Sequence, residues 1–329
     1  MLMDLPVDVS ILIPTYRRPA LLERTLGSLL ALRPPPITWE ILVIDNCGDR
    51  DTQRVLGGVA SRLPIRLLTE TRRSKNRALL HGLDEAAGDL VVFTDDDVVP
   101  DAGWLTEIVE GAGRWPDHAV FGGRVLPLWP AGRTPGFRHA FFDHAYAIAD
   151  WAQPEGPYPA SRVYGPNMAI RASVFREGWS FDPAIGPDGT DNYLPGGETD
   201  LTMRLERAGL APVYLPRALV LHQIRAEQLE LEWLLKRAFR KGREDLHKKG
   251  APPGPRLRGV PISLLAASAR AATRRLSARV RRDPEVRFDR AIAYWKLRGM
   301  MHQCRVSHRI STRTAWAAED DRTGARRGW

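Results

Sequence analysis

Three adjacent carboxylates, Asp95, Asp96 and Asp97, stand at the end of the apolar run Leu90–Phe93. Like charges this close repel one another, so a cation is expected among them. Oxygen ligands at a strand end suit a hard divalent ion, Mn2+ or Mg2+, that keeps positions open for phosphate oxygens. The same residues also read as an acidic turn, with Asp101 capping the helix that follows.

Such a cluster must be positioned by regular elements. Val9–Ile13, Ile41–Ile44, Ile65–Leu68 and Leu90–Phe93 are short apolar runs rich in β-branched residues. Helical patterns separate them. Leu22, Thr25, Leu26, Leu29 and Leu30 share a face after the first run, and Leu79, Leu80, Leu83 and Ala87 form a stretch opening at Ser74 and stopping at Gly88. The alternation predicts βαβ units and a mostly parallel sheet with helices on both faces. Ligands bind beyond the C-terminal ends of strands in such sheets, where Thr15, Asp45 and Asp95 fall. The loop Pro14-Thr15-Tyr16 carries neither G-x-G-x-x-G nor G-x-x-x-x-G-K-[ST], so the dinucleotide and P-loop readings both fail.

Later in the chain, Gly165–Arg171 leads into a strand, with Ser173 capping a short helix. Gly197-Glu198-Thr199-Asp200-Leu201 opens another helix, with Leu201, Leu205 and Ala208 inward. Helix N-termini favour negative charge, so capping accounts for these carboxylates as well as chemistry does. Pro212–Tyr214 and Ala218–Leu221 predict two further strands, the second ending at His222.

The 329 residues, 43% of them hydrophobic, suffice for one large α/β domain with an appendage. Cys47 and Cys304 form neither a zinc nor a disulfide framework, which fits a reducing, cytoplasmic setting. No run of about 18 apolar residues is present, and the N-terminus lacks a signal-peptide plan. Residues 251–329 carry 18 Lys and Arg against 6 Asp and Glu, whereas residues 1–250 carry 30 against 33. A basic tail on a mildly acidic body argues for an anionic surface as partner. Within it, Ser263–Arg282 places Leu265, Ala269, Ala272, Leu276 and Val280 on one stripe, with Arg270, Arg274, Arg275, Arg281 and Arg282 elsewhere. That pattern suits an anionic bilayer, such as the inner face of the plasma membrane, and equally suits packing on the catalytic body or a partner helix.

The ordered series Pro14-Thr15-Tyr16, Val43-Ile44-Asp45-Asn46, Lys75-Asn76, Gly88-Asp89, Phe93-Thr94-Asp95-Asp96-Asp97 with Pro100, Asn167-Met168-Ala169, Gly197-Glu198-Thr199-Asp200-Leu201 with Arg204, and His222 resembles glycosyltransferase family 2. The resemblance covers about residues 7–225. It implies an inverting enzyme of GT-A fold that moves a sugar from a nucleoside-diphosphate sugar, UDP ahead of dTDP and GDP, to an acceptor hydroxyl in glycan, glycolipid or natural-product biosynthesis. Residues 1–225 would form the catalytic domain, its nucleotide-sugar half about 1–122 and its acceptor half about 123–225. Residues 226–250 would be a basic helix packed on that domain, and 251–329 a basic helical extension.

Carried over residue by residue, Pro14, Thr15, Tyr16, Arg18, Asp45, Lys75, Asn76, Asp95 and Asp96 look like the donor-nucleotide contacts. Lys75 stands where the family usually has arginine, with Arg73 or Arg77 as substitutes. Asp97 and His222 look like the metal ligands, for Mn2+ or Mg2+, and Asn167, Met168 and Gly197 like the acceptor region. Inversion needs one carboxylate to take the acceptor proton opposite the leaving diphosphate, and Glu198 is the candidate, with Asp200 the fallback. The two differ by ~200° around a helix, so only one can face the acceptor, and Asp200 is placed to pair with Arg204. The processive synthases' Gln-x-x-Arg-Trp is absent, Glu232-Trp233-Leu234-Leu235-Lys236-Arg237 standing nearby, so a single addition is expected. A sugar-nucleotide nucleotidyltransferase and a non-catalytic nucleotide-sugar or nucleic-acid binding protein are the alternatives. The first lacks its Gly-rich phosphate loop, and no nucleic acid is expected because the tail's charge is not interleaved with aromatics in an RNP-like pattern and the body is acidic.

Overall fold

The structure is a computed structural model that describes residues 7–190, 193–278, 280 and 283–324, with side chains as far as 309. The chain divides into two compact units, Met1–Ala226 and Glu227–Trp329. In the first, the elements are β1 (Val9–Thr15), α1 (Pro19–Leu29), β2 (Trp39–Asp45), α2 (Arg50–Gly57), β3 (Ile65–Thr69), α3 (Lys75–Glu85), β4 (Leu90–Phe93), β5 (Val98–Pro100) and α4 (Trp104–Arg114). They continue with β6 (Val120–Leu128), α5 (Phe141–Ala145), β7 (Gly156–Pro157), β8 (Met168–Arg171), α6 (Ala172–Arg176), α7 (Gly197–Arg207) and β9 (Val213–Gln223).

The sheet runs β3-β2-β1-β4-β8-β6-β9-β5. Strands β3, β2, β1 and β4 are parallel, and β8 enters antiparallel to both β4 and β6. Successive side chains point to opposite faces, so Ile11, Ile13, Ile41, Val43 and Val92 pack under Leu22, Leu26, Val55, Trp104 and Ile108 of α1, α2 and α4. Leu12, Leu42, Ile44, Val91 and Phe93 face Ala78, Leu79, Leu201 and Leu205 of α3 and α7. A sheet buried on both faces needs uninterrupted apolar strands, which is why these runs stand out in the sequence.

Three elements depart from expectation. The pair predicted as Pro212–Tyr214 and Ala218–Leu221 is one strand, β9, whose register against β6 slips between Gly123 and Arg124: Gly123 faces Leu215 and Arg124 faces Leu219. Pro216 cannot donate to the ladder, so it sits in this bulge and the strand resumes past it. Ser173 lies inside α6, whose N-cap is Arg171 without a side-chain cap. The helix after β9 begins at Leu231, a single 3-10 turn occupying Ala226–Leu229.

In the second unit, α8 (Leu231–Lys249) is followed by the small hairpin β10 (Arg256–Leu257) and β11 (Val260–Pro261), then α9 (Ile262–Ala278) and α10 (Pro284–Gly324). Helices α8 and α10 cross closely: a Cβ on Gly242 would lie 1.9 Å from the Lys296 carbonyl, and one on Gly299 1.9 Å from that of Phe239. Leu246, Val260, Leu264, Met301 and Cys304 form this unit's core. Arg281 and Arg282 of the predicted basic stripe lie outside the described residues. Among the described residues no helix is long and apolar enough to cross a membrane.

Candidate active site

Strands β1, β2 and β4 end side by side, and the turn after β4 carries the three carboxylates. Asp96 is 3% exposed; its Oδ2 accepts the Thr15 hydroxyl at 2.7 Å and its Oδ1 lies 3.2 Å from Arg18. Burial pushes Asp96 up to about 6, Asp97 and Asp95 adding to this against Arg18 and the Thr15 hydroxyl. The Thr25 hydroxyl meets the carbonyls of Asp96 and Val98 at 2.9 and 2.8 Å, which ties the turn to α1. Asp96 thus faces into the protein and fixes its two neighbours, which point elsewhere.

Asp97 is 4% exposed and surrounded by cations: Oδ2 lies 3.3 Å from Arg18 and 3.6 Å from Arg225, and Oδ1 lies 3.4 Å from His222 Nε2. Burial raises its pKa, but His222, Arg18 and Arg225 outweigh burial and hold the carboxyl below the ordinary range. His222 is positioned by β9, where it pairs with Val98 of β5. Its Nδ1 lies 2.7 Å from the Tyr146 carbonyl, which can only accept, so Nδ1 carries a proton and Nε2 faces Asp97. Burial disfavours the imidazolium, and Asp97 more than compensates, so His222 titrates above ordinary histidine.

This pair fits a divalent ion. Asp97 Oδ1 is buried without a hydrogen-bond partner, and the second nitrogen of His222 is anchored as in ligating histidines. Among the described residues no group of three or more His, Cys, Asp or Glu side chains could hold a metal. A divalent ion held by these two side chains would need phosphate oxygens and water as further ligands, as Mg2+ does at nucleotide sites.

Asp95 points to a second cation. Lys75 Nζ, at the first position of α3, lies 2.5 Å from Asp95 Oδ1 and 2.7 Å from Glu198 Oε1. Burial works against the ammonium, but Asp95 and Glu198 more than restore it, raising its pKa above that of ordinary lysine. Helix α3 starts here because Ser74 caps it, accepting from the Arg77 N–H at 3.5 Å. Glu198 lies in the first turn of α7, after Gly196 at φ +94°, where other residues are strained. Gly165 leaves its carboxylate room: a Cβ there would lie 2.4 Å from Glu198 Oε1. Asp200 turns away, bonding Arg204 at 2.9 Å, and Arg204 also donates to the Ser180 carbonyl at 2.7 Å.

One crevice thus holds a carboxylate–imidazole pair and, beside it, a carboxylate–ammonium–carboxylate bridge. The sequence model of the family described as "Glycosyl transferase family 2" matches residues 10–179. The chain belongs to glycosyltransferase family 2. This glycosyltransferase is 26% identical over 240 residues to the glucosyl-dolichyl phosphate glucuronosyltransferase of Haloferax volcanii, covering 72% of this chain and 75% of that one. It is 28% identical over 250 residues to the succinoglycan biosynthesis protein ExoM of Rhizobium meliloti, covering 72% and 73%. Among solved structures, the mannosyltransferase PcManGT from Pyrobaculum calidifontis in complex with GDP-Man and Mn2+ is similar at TM-score 0.61 and 18% identity, over 91% of this chain and 88% of that one. S. aureus TarS 1-349 in complex with UDP matches at TM-score 0.51 and 14% identity, over 93% and 92%. The fold is GT-A, with a helical C-terminal region added.

Several polar residues expected to face ligands in the glycosyltransferase hydrogen-bond the backbone. The Asp45 carboxylate accepts the N–H groups of Cys47 and Asp49 at 3.0 and 2.5 Å. Asn76 is fully buried and donates to the Asp182 carbonyl at 2.7 Å, against Gly186 and Gly197. Pro14, Met168 and Gly197 are buried, while Tyr16 is half-buried beside the Arg17 and Arg73 guanidinium groups at 5.4 and 5.8 Å. Asn167, 1% exposed, accepts from Trp104 Nε1 at 2.9 Å and lies 2.9 and 2.7 Å from the carbonyls of Arg124 and Ala218, knitting α4, β6 and β9 together. Asn167→Leu leaves those groups unpaired and is expected to lower stability by about 2–4 kcal/mol in urea unfolding. Arg225, Tyr146 and Gly165 were not legible as site residues, because each acts through a position fixed only by folding.

Proposed function

We propose that this glycosyltransferase moves a sugar from a nucleoside-diphosphate sugar to an acceptor hydroxyl in a single, inverting, metal-dependent addition. Glu198 takes the hydroxyl proton as the acceptor oxygen forms its bond to the anomeric carbon. The bond from that carbon to the diphosphate breaks, its electron pair leaving with the diphosphate. The observation that carries this reading is the Lys75 bridge, which holds a carboxylate from α7 at 2.7 Å on the same ammonium as Asp95 at 2.5 Å. Lys75 holds the Glu198 carboxylate beside Asp95, whereas the Asp200 carboxylate is held by Arg204. Asp97 and His222 would hold Mn2+ or Mg2+, which when bound neutralises charge on the departing diphosphate.

Asp95, Tyr16 and Arg18 border the donor in this reading, and the buried Thr15, Asp45, Asn76 and Asp96 set the loops that meet it. The nucleotide assigned is UDP, which the family resemblance favours; the similar structures hold GDP-Man in one case and UDP in the other. Nucleoside diphosphate released from a panel of sugar nucleotides, with water as acceptor and either Mn2+ or EDTA, tests the reaction. Release from one donor, abolished by EDTA and giving first the sugar of inverted configuration by NMR, is the expected result. Retained configuration contradicts the assignment of Glu198.

With only two protein ligands, Mn2+ alone is expected to bind weakly, and a saturating nucleoside diphosphate to tighten it by about tenfold or more. Calorimetric titration of Mn2+ with and without nucleotide measures this coupling.

A further inference from the structure

Among the described residues the exposed large apolar side chains all lie between 231 and 280: Leu231 at 54%, Leu257 at 61%, Ile262 at 50%, Leu276 at 60% and Val280 at 87%. Ile262 and Leu276 belong to α9, where they fall within ~40° of one another about the axis, with Ala266, Ala269 and Thr273 between them. Leu264, Ser268 and Ala278 are buried on the opposite side. The helix therefore has two apolar faces, one in the core and one turned to solvent.

Cations flank the outer face. Arg270 and Arg274 are exposed on α9, which contains no acidic residue. Between α9 and α10 a cleft of about 320 Å³ is lined by Leu265, Ser268, Ala269, Ala272 and Met301 together with Tyr294, Arg298 and Arg305. Arg275 lies 5.2 Å from the Tyr294 ring, and Arg298 bonds the Tyr294 hydroxyl at 3.0 Å, so the arginine row is held against the cleft.

An aliphatic face bordered by arginines selects its partner. A second copy packed through the same face would set arginine against arginine. A nucleic acid would use free stacking rings; the exposed large apolar side chains here are all aliphatic, and the ring that lines the cleft, Tyr294, is held by Arg275 and Arg298. We propose that the outer face of α9 and the adjoining cleft dock on an anionic phospholipid surface. Ile262, Leu276 and Val280 enter the headgroup boundary while Arg270, Arg274, Arg298 and Arg305 meet lipid phosphates. An acceptor carried in the bilayer would then reach the enzyme, a consequence that rests on the glycosyl-transfer reading.

Cosedimentation of the full chain with vesicles of phosphatidylcholine alone, or with about a third phosphatidylglycerol, tests the docking. Binding to the anionic vesicles only is expected, weakened by salt, and at least about tenfold weaker in Leu276→Asp/Val280→Asp and in Arg270→Gln/Arg274→Gln. Each variant should keep the wild-type thermal shift with nucleoside diphosphate and Mn2+, which separates this surface from the active site. Equal binding to both vesicles, no binding, or variants that bind like wild type would overturn the proposal. So would a wild-type dimer by light scattering that the aspartate variant dissociates, since the face would then belong to a second copy.

Discussion

Glu198→Gln is expected to lower turnover by about 10³-fold while donor affinity stays within about threefold of wild type. Glutamine keeps the shape of the side chain and removes its basicity, and Lys75 retains Asp95 at 2.5 Å, so the crevice keeps its form. The comparison that gives the number meaning is Asp200→Asn. Asp200 is held by Arg204 at 2.9 Å on the first turns of α7, so its loss should change turnover less than about fivefold and act mainly through helix stability. Nucleoside diphosphate release and calorimetric donor binding, measured on both variants, separate the roles. Equal losses in the two, or loss of donor binding in Glu198→Gln, would count against Glu198 as base.

The second large effect is at Asp97. Asp97→Asn is expected to abolish the metal-dependent part of nucleotide binding and to reduce kcat/KM by about 10³-fold, equivalent to ~4 kcal/mol of transition-state stabilisation. Stability should fall as well. Arg18, Arg225 and His222 all face this one buried carboxylate, and removing its charge removes the attraction that offsets their burial, with Asp96 still beside Arg18 at 3.2 Å. A loss of about 3–5 kcal/mol is the scale for breaking such a buried pair. Urea unfolding reports the stability, and nucleotide titration with Mn2+ or EDTA reports the site. Metal-dependent binding that survives in Asp97→Asn would remove Asp97 from the ligand set.

These two residues also show what a sequence can and cannot reveal. Asp97 was visible because three carboxylates end an apolar strand, a local pattern that folding can only place at the sheet's C-terminal edge. Glu198 was visible through its place in the ordered family series, and the helix pattern of Leu201 and Leu205 fixed which way its turn faces. The parallel core was legible for the same reason: strands buried on both faces must be continuous apolar runs. The antiparallel insertion of β8 between β4 and β6 was not, because pairing partners are chosen by the fold and leave no trace in a four-residue strand. Pro216 hid the continuity of β9, since a proline reads as a break until a bulge is seen to absorb it.

Among polar residues the ambiguity is deeper. Asn76, Asn167 and Asp45 have the same chemistry as ligand contacts, and only the structure shows that they also hydrogen-bond Asp182, Arg124, Ala218, Cys47 and Asp49. Arg225 lies 3.6 Å from Asp97, three residues beyond His222, and the Tyr146 carbonyl that sets the His222 tautomer comes from an irregular segment with no periodicity to read. On α9 the sequence left open whether the stripe meets a bilayer or packs on the protein, and the structure shows Leu276 of the stripe 60% exposed while Leu264, outside it, takes the core position.

The measurement that bears most directly on the central claim is calorimetric binding of UDP, dTDP, GDP and CDP to the wild-type chain, each with Mn2+ and with EDTA. One nucleoside diphosphate, UDP by this reading, should bind with Mn2+ and lose most of its affinity in EDTA. Well-folded protein that binds none of them, or binds one equally well without metal, would contradict a metal-dependent transfer site built from Asp97 and His222.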